Sequence, residues 1–361
     1  MKRKTIVIVI NDLGAGGAEK LVTDLLPGMN NAYKVILVTL NKKGIFDVTK
    51  TIVCEKSYCL NFKSNLSIPR CALQLKRIIK GHQPDLVHSH LFHSSLIARI
   101  ACPADIPLVF TIHGALGYEV FSKNVFWRFI ENATVRKYHS VIAVAEHLLE
   151  DYEKYIKRVN KRFVVPNCIS DEFFETKPPS KNYNQFTVLK MVAVGNIKPV
   201  KNYAYLVEAF KKLQNVNITL DIYGIDQGGM TGLQKEIDDN QLPIIFKGVT
   251  TNVSKILPDY NMYVMPSKSE GCSVAVMEAM IIGLPLLLSA LPGLKAETQD
   301  NAVFFDIADE QSFIDRITEI VENKYDLNDM SVKGIEIATE NYTQSKYFER
   351  LFAIYETLIN S

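Results

Sequence analysis

The sequence predicts an α/β protein with two Rossmann-like, doubly wound domains that face each other across a cleft. Short apolar runs of strand type alternate with amphipathic segments twice along the chain, a pattern that builds parallel sheets with helices on both faces. A polar stretch at 170–185, which contains Pro178-Pro179, separates the two series and is typical of a linker. The 361 residues suffice for two domains of ordinary size, each with its own core.

The first domain is predicted to span residues 1–170. Its first apolar run is followed by a glycine-rich loop and a helix that runs to Leu26, and a second amphipathic helix is expected at 67–80. The predicted strands are 5–10, 34–40, 86–89, 107–112, 140–145 and 163–165.

The second domain is predicted to span residues 171–343. Its predicted strands are 188–194, 218–223, 244–246, 262–265 and 286–289. A final helix follows at about 344–358, because apolar side chains recur there on one helical face. They are Phe348, Leu351, Phe352, Tyr355 and Leu358. From periodicity alone, this helix packs either on the second domain or back on the first.

Composition favours a water-soluble protein, with 47% apolar and 22% charged residues. The longest apolar run, 284–294, is too short to span a bilayer and contains two prolines. The basic first residues followed by the apolar run 5–10 imitate a signal peptide, but that run is too short and leads directly into Asn11-Asp12. We therefore expect it to be the first strand of a cytoplasmic protein.

The net charge of +2 conceals an asymmetry between the two halves. Residues 1–170 hold 24 Lys+Arg against 13 Asp+Glu, a net charge of +11, whereas residues 171–361 hold 17 against 26, a net charge of −9. The first half therefore suits an anionic partner, such as a membrane surface or a lipid-linked phosphate. A solvated basic face is the alternative, and nucleic acid is disfavoured because no motif for it is present.

The stretch 266–285 is the strongest candidate for a ligand site. It joins the strand at 262–265 to a helix through a turn, so the free N–H groups of the first helical turn point beyond the strand end, where they attract phosphate. One glutamate lies in the turn and a second lies about two turns into the helix. The residues expected to contact the ligand are Glu270, Gly271, Cys272, Ser273 and Glu278.

A sugar joined through a diphosphate to a nucleoside would suit this arrangement, with one polar end at Glu270 and the other at Glu278. The alternative is a helix start with one acid placed for the helix dipole and another on a solvated face.

The pattern Glu270-Gly271, Glu278-Ala279-Met280 and Gly283-Leu284-Pro285 resembles the signature of the retaining glycosyltransferases of family four, the glycosyl transferases group 1. The resemblance implies the two-domain B-type (GT-B) fold, with the final helix, 344–361, joining the first domain. It also implies a nucleotide-diphosphate sugar as donor. In that setting Glu270 would bind sugar hydroxyls and Glu278 the ribose hydroxyls.

Two motifs of the first half extend the resemblance. The string Gly16-Gly17-Ala18-Glu19 resembles the first loop of the family, which implies that Gly16 and Gly17 lie near the donor diphosphate. A dinucleotide site is disfavoured, because Glu19 replaces the third glycine and no acid follows Leu40. Thr111-Ile112-His113-Gly114 resembles the family's Thr-x-His-Gly, which implies that His113 contacts the transferred sugar.

In the second half, the segment from Gly195 to Lys201 resembles the family's Gly-Arg-x-x-x-x-Lys, whose two cations neutralise the departing diphosphate. Lys201 matches, but Asn196 replaces the arginine, and an arginine is not equivalent to its substitutes in binding phosphate. Lys198 is a candidate substitute. Glu297 parallels a further acid of the family but lies one residue late, so we do not assign it to the site.

Metal ions are not expected. The chain has no Asp-x-Asp motif, and the cluster His88, His90 and His93 lacks an identifiable further ligand for zinc. The basic and aromatic segment 117–127 has two interpretations. It forms either a surface for a membrane or a lipid-linked acceptor, or the packed face of an ordinary helix, and we favour the packed face.

The resemblance implies a retaining glycosyltransferase of the hexosyltransferase type, with UDP more expected than GDP as the nucleotide. The acceptor would be a glycan or a lipid-linked saccharide of surface polysaccharide synthesis, at the inner face of the cell membrane. The alternatives are a catalytically weak nucleotide-sugar or glycan binding protein, or a sugar-nucleotide epimerase of the same fold.

Overall fold

The computed structural model describes residues 3–14, 16–42, 53–156, 159–176, 178, 180–213 and 216–361. The chain divides into two units, of which the first comprises residues 1–167 and 344–361 and the second comprises residues 168–343. Each unit is built on one parallel sheet, so the prediction of two Rossmann-like doubly wound domains is confirmed. Their arrangement across a cleft stays a prediction.

The sheet of the first unit has the strand order β3-β2-β1-β4-β5-β6-β7, with every pair parallel. Because helices cover both faces of the sheet, the central strand β1 is a nearly continuous apolar run, whereas its neighbour β4 buries two histidines and a serine. The strands are β1 Thr5–Ile10, β2 Lys34–Thr39, β3 Lys56–Cys59, β4 Leu86–His90, β5 Leu108–Ile112, β6 Ser140–Ala143 and β7 Lys161–Val164.

The sheet of the second unit repeats this topology with the order β10-β9-β8-β11-β12-β13. The strands are β8 Leu189–Val194, β9 Ile218–Tyr223, β10 Ile244–Gly248, β11 Met262–Met265, β12 Leu286–Ser289 and β13 Val303–Phe305.

Both sheets change direction at their centre. The chain winds outward from β1 to β3 and then returns to the other side of β1 at β4, and the same reversal separates β8 from β11. The loops that follow such a pair of strands diverge and leave a crevice at the carboxyl edge of the sheet. The loops after β8 and β11 contain every site residue predicted in the second half except Glu278, which lies in the helix that follows.

Helices flank both sheets. Those of the first unit are α1 Gly17–Ala32, α2 Ile68–His82, α3 Phe92–Ala101, α4 Val125–Thr134, α5 Glu146–Glu153 and α14 Gln344–Ile359. Those of the second unit are α6 Asp171–Glu175, α7 Tyr203–Lys212, α8 Leu233–Asp239, α9 Val253–Ile256, α10 Val274–Ile282, α11 Pro292–Thr298, α12 Glu310–Val321 and α13 Leu327–Asn341.

Two local expectations differ from the structure. The first helix does not end at Leu26 but continues through Pro27 to Ala32, and its last turns bury Met29. Burial of that apolar side chain offsets the hydrogen bond that proline cannot donate. The stretch predicted as a linker carries α6 and inserts Phe173 and Tyr183 into the core of the second unit, while its residues 177 and 179 lie outside the described part of the chain.

The C-terminal helix α14 packs on the first unit. Tyr355 is fully buried, and its hydroxyl lies 2.6 Å from His88 Nδ1 on β4. The ring of Phe352 meets Tyr33 edge to face at 5.1 Å between centroids, and Lys4 pairs with Glu356 at 2.7 Å. The apolar face identified from periodicity therefore completes the core of the N-terminal sheet.

The orientation of α4 contradicts the interpretation of segment 117–127 as the packed face of an ordinary helix. Phe121, before the helix, is fully buried, but Val125, Phe126 and Phe129 are exposed, and the buried residue of α4 is Glu131. Periodicity identified an apolar face correctly but gave no information on whether that face meets the sheet.

A buried ion pair holds α4 in this orientation. Glu131 Oε2 accepts from Arg99 Nη2 on α3 at 2.5 Å, and both side chains are 1% exposed. The Tyr152 hydroxyl donates to the other carboxylate oxygen at 2.7 Å, and the guanidinium lies 5.0 Å from the centre of the Phe110 ring. A buried carboxylate with this many partners attaches the helix through polar contacts.

Replacement of Glu131 by alanine should strongly destabilise the first unit, because it leaves the Arg99 guanidinium buried without its counter-ion. We expect a loss of about 3–5 kcal/mol in the free energy of unfolding. Urea unfolding followed by the fluorescence of Trp127, the single tryptophan of the chain, measures it. Glu153→Ala, which breaks the exposed pair with Arg162, is the matched control and should leave the midpoint almost unchanged. Equal shifts in the two variants would contradict this account.

Candidate nucleotide-sugar site

The crevice of the second unit is centred on an ion pair. Lys201 Nζ lies 2.8 Å from Glu270 Oε1, and the two side chains are only 18% and 11% exposed. Lys201 follows β8 and Glu270 follows β11, so the pair joins the two loops that diverge at the change of direction in the sheet. The Lys268 N–H donates to Val200 O at 2.8 Å and fastens the same loops through the backbone.

Glycine allows the neighbouring backbone to come close. Gly195 has φ +149°, a conformation that side chains disfavour, and a Cβ there would lie 3.5 Å from Lys201 Cε. Gly224, after β9, approaches so closely that a Cβ would lie 2.0 Å from Gly195 O. The loops after β8 and β9 therefore pack backbone against backbone beneath the lysine.

The start of α10 already holds a carboxylate from the protein. The Ser273 N–H, one of the three amides expected to face a ligand, donates to Glu297 Oε2 on α11 at 2.8 Å. Ser273 is buried, whereas Gly271 and Cys272 are half-buried. Of the three residues, Gly271 and Cys272 are thus the more accessible to a bound phosphate.

Glu297 is the site residue that sequence reasoning missed. Its position one residue later than in the resembling family argued against it, but α11 turns its side chain inward. Burial raises the pKa of Glu297 well above its usual range, and the nearby Glu270 carboxylate raises it further, whereas the Ser273 N–H and Lys201 oppose these effects. Its second oxygen, Oε1, is buried without a hydrogen-bond partner. The signal that could have found it is the helix start at Pro292-Gly293 beside the site.

Glu278 lies inside α10 and is buried, at 5% exposure. Both glutamates of the predicted signature, Glu270 and Glu278, influence the pKa of Tyr263, a buried residue of β11. Burial raises the pKa of Tyr263 well above its usual range, and the charges of Tyr203, Glu270 and Glu278 raise it further. The Tyr263 hydroxyl donates to Val194 O at 3.2 Å. Glu270 and Glu278 are therefore both within electrostatic range of the same hydroxyl.

The position of the missing arginine carries no cation. Asn196 is half-buried directly after Gly195, and Lys198 is exposed. Within the described residues, the cation that contacts Glu270 through an ion pair is Lys201. Lys201 thus places a positive charge directly against the Glu270 carboxylate.

In the first unit, Gly16 and Gly17 form the start of α1. Gly16 caps the helix with an extended backbone, and a Cβ there would overlap the Glu19 carboxylate. Gly17 is exposed, and a Cβ there would meet nothing within 4 Å. Asp12 Oδ1 accepts from the Gly14 N–H at 2.9 Å, while Ala15 lies outside the described residues. The start of this 16-residue helix is therefore open to the exterior at Gly17.

His113, which is half-buried, forms a row with the buried His88 and His90 where β4 and β5 end. Its Nε2 lies 3.1 Å from His90 Nδ1, and the His90 ring lies 4.1 Å from the His88 ring between centroids, with the two rings tilted by 35°. His88 Nε2 lies 2.7 Å from Thr111 Oγ1. Burial lowers the pKa of His88 to about 3 and of His113 to about 4, and it lowers the pKa of His90 well below its usual range.

These three imidazoles are consequently neutral near pH 7 and act as hydrogen-bonding groups. His113 Nδ1 is buried and has no hydrogen-bond partner. Among the described residues, no three His, Cys, Asp or Glu side chains are grouped so that they could hold a metal ion.

Both halves of the chain match models of glycosyltransferase families. The model of Glycosyltransferase Family 4 matches residues 15–173, and the model of Glycosyl transferases group 1 matches residues 177–337. The UDP-Gal:alpha-D-GlcNAc-diphosphoundecaprenol alpha-1,3-galactosyltransferase of Escherichia coli is 26% identical over 72% of this chain and 72% of its own. The N-acetyl-alpha-D-glucosaminyl L-malate synthase of Bacillus anthracis is 21% identical over 79% and 77%.

Solved structures show the same fold. A glycosyltransferase from Rickettsia africae superposes with a TM-score of 0.82 and 14% identity over the whole of both chains. Anabaena HepE in complex with UDP superposes with a TM-score of 0.82 and 15% identity, over 98% of this chain and 100% of that one.

Glu297→Gln should make the stability of the second unit less dependent on pH. A carboxyl whose pKa is raised in the folded state stabilises it fully below the unfolded pKa, and that contribution is lost as the pH rises through the folded pKa. Glutamine cannot ionise but still accepts from Ser273. We therefore expect the variant to match the wild type in acid and to be the more stable protein at higher pH, in urea unfolding followed by circular dichroism.

Glu297→Ala is the companion variant, because it removes the acceptor of the Ser273 N–H and should be less stable than Glu297→Gln by about 1–3 kcal/mol. Parallel pH profiles for the wild type and Glu297→Gln would contradict the assignment of a raised pKa.

Proposed function

The chain belongs to the group 1 glycosyltransferases, and from that premise we propose that it is a retaining hexosyltransferase with a UDP-sugar as donor. It is a transferase enzyme with the GT-B fold. The acceptor we propose is a glycan or a lipid-linked saccharide in surface polysaccharide synthesis. One relative and one structural neighbour support the choice of donor and acceptor. The name of the E. coli enzyme specifies UDP-Gal and a diphosphoundecaprenol acceptor, and the HepE structure contains UDP.

The observation that carries the proposal is the Lys201–Glu270 pair beside the start of α10. Departure of a nucleoside diphosphate places negative charge on its terminal phosphate, and fixed positive groups stabilise that charge best when they are largely removed from water. Lys201 is such a group, at 18% exposure. Its ammonium has three donors, so it can keep Glu270 and still donate to a phosphate oxygen.

Glu270 would then orient the sugar. A carboxylate already held by Lys201 has a fixed position and remaining lone pairs, which can accept from sugar hydroxyls. In the proposed reaction the bond from the sugar C1 to the diphosphate breaks and the acceptor oxygen bonds to C1 on the same face. The acceptor proton leaves with the diphosphate. Glu270 forms no covalent bond in this scheme.

In this proposal the enzyme needs no divalent metal. The charge of the leaving group would be met by Lys201 and by backbone amides at the starts of α10 and α1, near Gly271, Cys272, Gly16 and Gly17. Helix starts of this kind bind phosphate through N–H groups and the helix dipole. Full transfer activity in excess EDTA would support this part, and recovery only on addition of Mg²⁺ or Mn²⁺ would overturn it.

His113 is the first-unit residue proposed to contact the transferred sugar. Its buried Nδ1 has no hydrogen-bond partner, and as a neutral imidazole it can exchange a hydrogen bond with a hydroxyl without introducing charge. Its partner His90 fixes the ring through Nε2.

A catalytically weak nucleotide-sugar binding protein is the second candidate, and Asn196 is the observation that favours it. With an amide in place of the arginine, one cation faces the diphosphate, and the leaving group is stabilised less. Titration that shows donor binding without turnover, over a panel of acceptors, would select this candidate. Release of an epimerised nucleotide sugar would instead select an epimerase.

The site of action we propose is the inner face of the cell membrane, where lipid-linked acceptors are available. No helix of the described residues combines the length and apolar character that a membrane crossing requires. In this proposal the protein contacts the membrane peripherally, through the basic first half of the chain.

Replacements of the two signature glutamates should separate binding from transfer. Glu278→Gln loses the charged acceptor for the ribose hydroxyls. Because a hydrogen bond to a charged group contributes about 1.5–3 kcal/mol, we expect the Kd for UDP to rise about tenfold. Glu270→Gln should mainly lower kcat, because sugar orientation is lost while the nucleotide contacts remain. Calorimetry with UDP and steady-state transfer assays measure the two effects.

Glu340→Ala, an exposed position on α13, is the control and should change neither quantity. Unchanged transfer activity in both signature variants would contradict the assignment of Glu270 and Glu278 to the donor site.

A further inference from the structure

Helix α4 presents its apolar side chains to solvent. Val125, Phe126 and Phe129 are 64%, 61% and 67% exposed. Val125 and Phe129 are four residues apart, and Phe126 lies between them on the same half of the helix, so the three form one continuous patch. Tyr118, at 59% exposure, precedes the helix.

This exposure follows from how the helix is attached. The buried residue of α4 is Glu131, and its ion pair with Arg99 and hydrogen bond from Tyr152 hold the helix on the first unit. Trp127 adds contacts with the rings of Phe92 and His93, at 5.3 and 5.9 Å between centroids. The exposed patch therefore takes no part in fixing the helix, and burying it elsewhere would recover the free energy of dehydrating large apolar side chains.

Cations flank the patch in the sequence. Lys123 Nζ lies 5.1 Å from the centre of the Tyr118 ring, and Arg136, after the helix, donates to Ala133 O at 2.5 Å. Arg128 and Lys137 add two more positive charges between residues 117 and 138, where the acids are Glu119 and the already neutralised Glu131. The first half of the chain as a whole carries a net charge of +11.

An apolar helix face bordered by cations matches the requirements of an anionic lipid surface. Aromatic side chains enter the boundary between head groups and acyl chains, while lysine and arginine extend toward phosphate. We propose that the α4 surface, defined by Tyr118, Lys123, Val125, Phe126 and Phe129, docks the protein on a bilayer that contains anionic phospholipid. This inference rests on the proposed function, since a lipid-linked acceptor is reached from such a bilayer.

The direct test is vesicle flotation with two lipid compositions. Wild-type protein should float with vesicles of phosphatidylcholine and phosphatidylglycerol, should float much less with phosphatidylcholine alone, and should dissociate as salt is raised. Phe126→Ser combined with Phe129→Ser should weaken binding to the anionic vesicles at least about tenfold, because two buried aromatic side chains are lost. Lys123→Gln should weaken it about fivefold.

Two controls make the result specific. Val332→Ser, at a 55% exposed position on α13 of the second unit, should leave flotation unchanged. UDP affinity, measured by calorimetry, should be the same in the double variant and the wild type, which shows that the protein is folded. Failure of the wild-type protein to bind UDP would overturn the proposed function without affecting the flotation result.

Equal flotation of the double variant and the wild type, or no flotation of the wild type with either composition, would overturn the docking proposal. So would sedimentation that shows a wild-type dimer which the double variant dissociates, because the patch would then bind a second copy of the chain.

Discussion

The ion pair between Lys201 and Glu270 depends on one constraint of parallel sheets, and the candidate site depends on that ion pair. Strands β8 and β11 are neighbours in the sheet, but the connection after β8 leads to one side of the sheet and the connection after β11 leads to the other. The two loops therefore lie side by side only at the carboxyl edge, where they begin. A lysine and a glutamate 69 residues apart in sequence are thereby fixed at 2.8 Å. The close approach of Gly224 to Gly195 supports the loop that carries the lysine, and Glu297 anchors the helix that follows the glutamate.

The candidate site residues of the two units differ in charge. In the first unit, burial lowers the pKa of His88, His90 and His113, so these side chains contribute hydrogen bonds without charge. In the second unit, Lys201 and Glu270 are largely buried as an ion pair with a third acid, Glu297, nearby. A neutral group suits contact with sugar hydroxyls, whereas a concentrated charge suits a phosphate that gains charge as it leaves. This division agrees with the proposed roles of the two units.

Sequence patterns were sufficient for the sheets and for much of the site, because long apolar runs and a spaced signature report on local structure. They did not reveal the edge strands β3 and β13, because β3 is largely polar and β13 is only three residues long. They placed the end of α1 at Leu26, because the burial of Met29 beyond Pro27 depends on tertiary packing. Glu297 was not assigned to the site because its spacing differs from that of the family. The outward orientation of α4 could not be predicted from local sequence, because the Arg99–Glu131 pair that fixes it joins residues 32 apart.

The central claim is that Lys201 neutralises the diphosphate of the donor from within the crevice. Calorimetric titration of wild type and Lys201→Gln with UDP, and in parallel with uridine, tests it most directly. The account predicts that the variant binds UDP at least about tenfold more weakly, the loss of one charged hydrogen bond, while its affinity for uridine is unchanged. Unchanged affinity for UDP, or an equal loss for uridine, would contradict it.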